Sequence, residues 1–200
     1  MSQNLPIMEH FYTIQGEGVH MGKPAYFVRV AGCDVGCVWC DVKDSWDAEK
    51  HSTMSVNEII TAIKETKAEH VVITGGEPAM YDLNPLCEAL HNEEYIIHIE
   101  TSGAYPIQGE LDWVCVSPKK FKEALPSELK KAHELKVIVF NKHDLEWALT
   151  FENQISEDCI KLLQPEWEVR NKSEKLIIDF IKNRPDWGIS VQTHKYLDIP

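Results

Sequence analysis

Short apolar runs alternate along the chain with segments that have helical spacing. Seven runs rich in β-branched residues begin at Ala25, His70, Tyr95, Trp113, Leu135, Cys159 and Gly188. Several are apolar at consecutive positions, which is typical of strands in a parallel sheet that is covered on both faces. The pattern therefore predicts a largely parallel sheet.

The segments between these runs predict helices. Ser55 and Glu58 have the spacing of a capping box, and apolar side chains then follow the i, i+3, i+4, i+7 pattern from Val56 to Ile63. Further helices are predicted within residues 82–91, 143–151 and 173–183. The alternation of strand and helix indicates right-handed βαβ units.

The number of strands limits the architecture. Eight complete βα units typically need about 250 residues. The 200 residues and six or seven strands of this chain predict an α/β fold with an incomplete, partial TIM-type βα barrel of about six parallel strands. No linker or repeat divides the chain, so residues 1–200 are predicted to form a single domain. In such folds the chemistry gathers at the carboxyl ends of the strands.

Composition narrows the choice of partners and compartment. With 32 acidic and 20 basic residues, the net charge of −12 would repel a phosphate backbone, so we expect no direct nucleic-acid partner. There is no basic leader followed by an apolar run, and no run approaching the roughly 20 apolar residues that span a bilayer. We therefore expect a soluble, cytoplasmic protein with no membrane partner and with reduced thiols.

Half of the six cysteines stand in one short stretch, GCDVGCVWCD. Cys33, Cys37 and Cys40 are separated by three and then two residues, and Gly32 and Gly36 allow a tight loop that turns the sulfurs to one face. Structural zinc takes four protein ligands, and electron-transfer cubanes usually take four cysteines. Three cysteines leave one coordination position open for chemistry.

A zinc knuckle completed by His51 or another histidine is the competing interpretation of this loop. The other cysteines, Cys87, Cys115 and Cys159, stand in apolar helix or strand patterns. We expect them to be buried small hydrophobes.

The cysteine loop resembles the signature of the radical S-adenosylmethionine (SAM) enzymes, with Trp39 before the last cysteine. The resemblance implies a radical SAM core in which Cys33, Cys37 and Cys40 hold a [4Fe-4S] cluster whose fourth iron binds SAM. It also implies that the reduced cluster cleaves SAM to a 5′-deoxyadenosyl radical, which abstracts a substrate hydrogen.

Other motifs resemble one group of this superfamily, the 7-carboxy-7-deazaguanine synthases. They are FYTIQGEG, FVRVAGC, VVITGGEP, IETSG, VSPK and the terminal VQTHKYLDIP, and they extend from Phe11 to Pro200. The resemblance implies a lyase that converts 6-carboxy-5,6,7,8-tetrahydropterin to 7-carboxy-7-deazaguanine by ring contraction with loss of ammonia. The C6 hydrogen is removed and returned, SAM is regenerated, and the product feeds 7-deazapurine biosynthesis, such as that of queuosine in tRNA.

The same resemblance implies two sets of site residues. The substrate set is Ile14, Gln15, Gly16, Glu17, Arg29, Thr74, His194 and Pro200. The SAM set is Trp39, Cys40, Asp41, Gly75, Gly76, Glu77, Ser117, Pro118, Lys119, Gln164 and Pro165. Arg29 is suited to a bidentate pair with the substrate carboxylate, and Gln15 can donate to and accept from the pterin edge.

One position departs from the family pattern. The family commonly has a threonine after the Cys-Asp pair, and its hydroxyl serves a magnesium ion, whereas this chain has Val42. Valine cannot ligate a hard cation, which requires oxygen. Mg²⁺ would then be held by water, substrate oxygens and a carboxylate such as Asp41 or Asp44, and we expect a weaker dependence on magnesium.

The resemblance further implies a homodimer and an electron donor such as flavodoxin. Two alternatives stay open at this point. One is a radical SAM activase that installs a glycyl radical on a partner protein. The other is a zinc-stabilised, non-enzymatic interaction domain in which the GGEP and SPK segments are only turns.

Overall fold

The computed structural model describes residues 3–200, in which nine strands form one sheet. The strands are β1 Asn4–Ile14, β2 Pro24–Val30, β3 Thr53–Ser55, β4 His70–Gly75, β5 Ile96–Thr101, β6 Trp113–Val116, β7 Glu134–Val139, β8 Ile160–Pro165 and β9 Trp187–Ile189. Their order across the sheet is β3-β1-β2-β4-β5-β6-β7-β8-β9.

The parallel part of the sheet contains seven strands, β2 and β4 to β9. All seven predicted runs are confirmed as strands, in agreement with the predicted six or seven, and the last run forms the three-residue β9. In the described residues β3 and β9 are the two ends of the strand order, as predicted for an incomplete barrel.

Strands β1 and β3 were not predicted. β1 pairs antiparallel with both β2 and β3. Its sequence, NLPIMEHFYTI, mixes polar and apolar residues without a continuous apolar run. It forms because it can pair with the edge of β2, which is a long-range effect.

Between the strands lie helices α1 Val56–Lys64, α2 Asn84–Asn92, α3 Pro126–Leu129, α4 Lys142–Leu149, α5 Arg170–Asn183 and α6 Thr193–Leu197. Short 3₁₀ turns occupy Lys43–Trp46, Ala48–Lys50 and Pro78–Met80. The four predicted helices are confirmed as α1, α2, α4 and α5. No helix in residues 3–200 is long and apolar enough to cross a membrane.

Helix α1 shows how local sequence determines an element. The Ser55 hydroxyl accepts a hydrogen bond from the Glu58 N–H (3.3 Å), and the Glu58 carboxylate accepts one from the Ser55 N–H (2.7 Å). This capping box satisfies backbone donors at the helix start. Ile59 and Ile63 are buried and face the sheet core.

The two faces of the sheet differ in polarity because side chains alternate along each strand. In β7, Leu135, Val137 and Val139 are fully buried in the main hydrophobic core. Lys136 and Ile138, between them, line a pocket on the concave face. The predicted burial of Cys87, Cys115 and Cys159 is confirmed.

Candidate active site

A pocket of about 860 Å³ opens at the carboxyl ends of the parallel strands. All residues of the predicted substrate and SAM sets line it except Pro118, and the three cysteines of the loop line it as well. The fold therefore brings together residues that are spread from Ile14 to Pro200. The role of each residue stays a prediction.

The cysteine loop is held by main-chain hydrogen bonds to the 3₁₀ turn that follows it. Gly32 N–H donates to the Ser45 carbonyl (2.6 Å), and Cys33 N–H donates to the Trp46 carbonyl (3.2 Å). Within the loop, Cys40 N–H donates to the Cys37 carbonyl (3.1 Å). All three cysteines held by this backbone framework line the pocket.

Burial and neighbouring groups change the pKa values of Cys33 and Cys37. Burial raises the pKa of Cys37 to about 11, and Cys40 and Cys33 add to the effect while Lys119 opposes it. Burial also raises the pKa of Cys33, with Cys40 among the further causes. The raised pKa values keep the Cys33 and Cys37 thiols protonated at neutral pH, and a bound metal would have to displace their protons.

This donor set fits an iron-sulfur cluster better than zinc. In residues 3–200 no group of three or more His, Cys, Asp or Glu side chains is placed to hold a single metal ion. A tetrahedral zinc site needs such convergence on one ion, whereas a cluster with several irons can take its thiolates at separate iron atoms. His51, the expected fourth zinc ligand, contacts the Asp44 carbonyl instead (2.8 Å).

The GGEP segment lies directly against the start of the cysteine loop. Gly76 N–H donates to the Val30 carbonyl and Glu77 N–H donates to the Gly32 carbonyl, both at 2.9 Å. Gly75 has a φ of +123°, and a Cβ at either glycine would collide with backbone oxygen. Only glycine permits this close approach of two loops.

The carboxylate of Glu77 is occupied by protein donors. Glu77 is buried, with only 1% of the residue exposed. It accepts hydrogen bonds from Ala79 N–H (3.1 Å), the Thr101 hydroxyl (2.5 Å), Ser102 N–H (2.8 Å) and the Ser102 hydroxyl. Glu77 thus joins the ends of β4 and β5.

Arg29, on β2, lines the same pocket. Its Nε is 2.8 Å from Glu9 Oε1, an ion-pair distance, although the N–H is not aligned for a hydrogen bond. This contact leaves the two terminal nitrogens for an anion. Thr74 is the register partner of Arg29 on the adjacent strand, so both reach the pocket side by side.

The amino-terminal loop and the carboxyl-terminal segment close the pocket together. Thr193 N–H donates to the Gly16 carbonyl (2.8 Å), and Gln192 Nε2 donates to Glu17 Oε1 (2.8 Å). A Cβ at Gly16 would collide with the His194 ring. Burial lowers the pKa of His194, although Glu17 opposes the shift, so the imidazole is neutral at neutral pH.

Helix α6 is also tied to the cysteine loop. Lys195 Nζ lies 2.8 Å from the Asp41 carboxylate. Asp41, Asp44 and Val42 all line the pocket, and the Val42 carbonyl accepts hydrogen bonds from Ser45 N–H (3.0 Å) and the Ser45 hydroxyl (2.6 Å). Both carboxylates considered for magnesium are therefore at the pocket wall.

The sequence analysis missed several residues of the pocket. Lys136 and Glu100 are within ion-pair distance of each other (2.8 Å), and Trp167 and Phe140 line the pocket mouth. The sequence signal for this ion pair was a lysine within the apolar run of β7, because a buried charge needs a partner. Its partners come from other strands and loops, and sequence spacing does not show them.

Comparison with known proteins gives consistent results. The Radical SAM superfamily matches residues 27–141. The chain is 49% identical to a 7-carboxy-7-deazaguanine synthase of Flavobacterium psychrophilum, over 98% of this chain and 93% of that protein. It is 36% identical to the 7-carboxy-7-deazaguanine synthase of Escherichia coli K12, over 97% of this chain and 98% of that protein. The crystal structure of QueE from Escherichia coli is similar with a TM-score of 0.87 at 34% identity, covering 96% of this chain and 95% of that one.

Proposed function

The chain belongs to the 7-carboxy-7-deazaguanine synthases of the radical SAM superfamily, which act in the queuosine pathway, and from this we propose how its own residues carry out the reaction. The substrate that we propose is 6-carboxy-5,6,7,8-tetrahydropterin, which loses ammonia as its ring contracts. We also propose that one domain, residues 1–200, performs the whole reaction, in the cytoplasm. The activase and zinc-domain alternatives are set aside.

The substrate is proposed to lie between Arg29 and the loop that contains Gln15. The terminal nitrogens of Arg29 can form a bidentate pair with its carboxylate, and Thr74 is beside them. Gln15 is buried, and its carbonyl oxygen accepts from Glu17 N–H (3.2 Å), so its amide N–H₂ is free for the pyrimidinone edge. His194 and Pro200 close the other side of the pocket.

The thiolates of Cys33, Cys37 and Cys40 would hold the [4Fe-4S] cluster, next to backbone groups of Gly75 and Gly76 that would bind SAM. When bound, the cluster and SAM would supply the one-electron chemistry that removes a hydrogen from the substrate. The remaining SAM contacts are assigned to Trp39, Asp41, Glu77, Ser117, Pro118, Lys119, Gln164 and Pro165. Lys119 donates to the Ser117 hydroxyl (2.5 Å) and carbonyl (2.6 Å), which fixes this strand end.

Three further features are proposed: a magnesium site, a homodimer and a docking surface for an electron donor. Magnesium would be bound by Asp41 or Asp44 with water and substrate oxygens, since Val42 offers no side-chain oxygen. A homodimer is proposed from the family resemblance. An electron donor such as flavodoxin would approach at the cysteine loop, where Val38 is 69% exposed and Phe121, which packs against Trp39, is 45% exposed.

The observation that carries the proposal is the convergence of the three thiols, the GGEP backbone and Arg29 on one pocket. The test uses protein purified and reconstituted without oxygen, then supplied with reductant, SAM and 6-carboxy-5,6,7,8-tetrahydropterin. We expect equimolar ammonia and 7-carboxy-7-deazaguanine by mass spectrometry. The variant Cys37→Ala should lose both the conversion and the cluster iron, because two thiolates do not hold the cluster.

The matched control is Cys159→Ala, which removes a buried thiol outside the pocket and should keep iron and activity. Conversion by Cys37→Ala at the rate of the parent would contradict the proposal. So would a parent protein that contains zinc but no acid-labile sulfide.

A further inference from the structure

Lys136 is a buried cation between two carboxylates at the base of the pocket. The residue is 3% exposed, and its Nζ lies 2.8 Å from Glu17 Oε2 and 2.8 Å from Glu100 Oε2. All three side chains line the pocket. Glu17 and Glu100 are separated by a large part of the chain, so the lysine brings together one acceptor from the amino-terminal loop and one from β5.

The surroundings of this trio are strongly acidic. Cys115 on β6 and Glu134 on β7 also face Lys136, and Lys119 is the second cation in its vicinity. Burial alone would lower the pKa of Lys136, but Cys115, Glu100, Glu17 and Glu134 together raise it well above the usual lysine value. Lys136 is therefore charged throughout the neutral range.

The two carboxylates respond differently to the lysine. Burial would raise the pKa of Glu17, but the charge and hydrogen bond of Lys136 lower it to about 2. Burial raises the pKa of Glu100, and Glu134 and Glu17 add to this effect while Lys136 opposes it. Without the cation, two adjacent carboxylates in a buried site would not both stay ionised, so they would share a proton.

The trio also holds the loop that carries the predicted substrate contacts. Glu17 Oε2 faces Lys136, and Glu17 Oε1 accepts from Gln192 Nε2 (2.8 Å). Thr193 N–H in turn donates to the Gly16 carbonyl (2.8 Å). Loss of the lysine would therefore release Glu17 from the wall of the barrel while the contacts to the carboxyl-terminal segment remain.

We propose that Lys136 is a positioning residue that keeps Glu17 and Glu100 side by side as hydrogen-bond acceptors for the N–H edge of the pterin. This inference rests on the proposed substrate. A pterin carries an amino group and a ring N–H on the same edge, and an ionised carboxylate is purely an acceptor, so two ionised carboxylates match two donors. A protonated carboxyl group would instead place its O–H donor against an N–H donor of the pterin.

The test measures binding of 6-carboxy-5,6,7,8-tetrahydropterin by calorimetry without oxygen or reductant, so that no turnover occurs. The parent should bind with little change between about pH 6 and pH 8, since Lys136 lowers the pKa of Glu17 and opposes the rise in the pKa of Glu100. Lys136→Met should weaken binding by about tenfold and make it vary with pH across this range, because the carboxylates now share a proton. Lys136→Arg should restore both the affinity and the flat profile.

The matched control is Lys161→Met. Lys161 also bridges two carboxylates, Glu152 (3.4 Å) and Asp186 (2.5 Å), but none of the three lines the pocket. This variant should bind as the parent does. If circular dichroism shows that Lys136→Met does not fold, Glu100→Gln is measured instead. Weaker binding of the pterin by Glu100→Gln, with a flat pH profile, supports the proposal.

The outcomes distinguish a failure of the role of Lys136 from a failure of the proposed function. If the parent binds the pterin and Lys136→Met, or its replacement Glu100→Gln, binds it equally well with an unchanged pH response, the role of Lys136 is refuted while the proposed function stands. If the parent does not bind the pterin, the proposed function falls, and the role of Lys136 falls with it.

Discussion

At the residue scale, Val42 stands where the motif that the cysteine loop resembles commonly has a threonine. The side chain lines the pocket beside Asp41 and Asp44, and it has no oxygen to offer a hard cation. The carbonyl of Val42 is already engaged by Ser45 N–H and the Ser45 hydroxyl. A magnesium ion at this wall would depend on carboxylates, water and substrate oxygens alone.

We therefore expect Val42→Thr to increase the stimulation of the synthase by Mg²⁺ by several fold, since the hydroxyl adds a ligand of the required type. The measurement is the rate of product formation across a magnesium titration that starts from protein treated with chelator. Val19→Thr, a similar change at an exposed valine away from the cysteine loop, is the control. An unchanged magnesium response in Val42→Thr would show that the ion is held elsewhere or not used.

At the element scale, the cysteine loop presents an apolar surface next to the thiols. Val38 is largely exposed between Cys37 and Trp39, and Phe121 packs on Trp39 at a ring distance of 4.8 Å. Exposed apolar side chains next to a redox centre suit a transient partner, which needs only a small contact area. This surface is where we propose that the electron donor docks.

Val38→Asp should disrupt this docking because it places a charge in the apolar contact and repels an acidic donor. We expect the ratio of the rate with reduced flavodoxin to the rate with dithionite to fall by about tenfold. Dithionite reaches the cluster without docking, so it controls for damage to the loop. Ile178→Asp, at an exposed position of α5, should leave the ratio as in the parent. An unchanged ratio in Val38→Asp would place the donor on another surface.

The elements also show which features of the fold and of the site could be predicted from the sequence. The capping box of α1 and the apolar runs of the parallel strands depend on neighbouring residues, and both were predicted. The cysteine loop, GGEP and SPK motifs were local as well. β1 was missed because it depends on pairing with β2, and Lys136 was missed because Glu17 and Glu100 meet it only when the barrel curves. Contacts that form only when the sheet curves produce no characteristic spacing of residues in the sequence.

At the scale of the whole molecule, the concave side of the sheet has a second polar cluster near the amino ends of the strands. The His20 ring lies 4.4 Å from the His98 ring and 4.5 Å from the Trp113 ring. His70 Nδ1 and His98 Nε2 are 3.1 Å apart. His20 belongs to the loop that begins at Gln15, so one loop reaches both the pocket and this histidine cluster.

The cluster makes the stability of the fold depend on pH. Burial, followed by His20 and His70, lowers the pKa of His98 to about 3, and burial lowers the pKa of His20 and His70 as well. In the unfolded chain these imidazoles take up protons below their usual pKa of 6.5. The unfolded state therefore binds more protons between about pH 3 and pH 6.5, and the free energy of unfolding falls as the pH decreases through this window.

For His98 alone the expected loss between pH 7 and pH 5 is about 2 kcal/mol. The measurement is urea unfolding at both pH values, followed by circular dichroism. His98→Gln should reduce the loss by about this amount, because glutamine stays neutral in both states and can still hydrogen-bond with His70. His143→Gln, which removes an exposed histidine from the surface of α4, should not reduce it. Ordinary carboxylates protonate mainly below about pH 5. A loss of equal size in His98→Gln and in the parent would therefore mean that the buried histidines do not control the acid response.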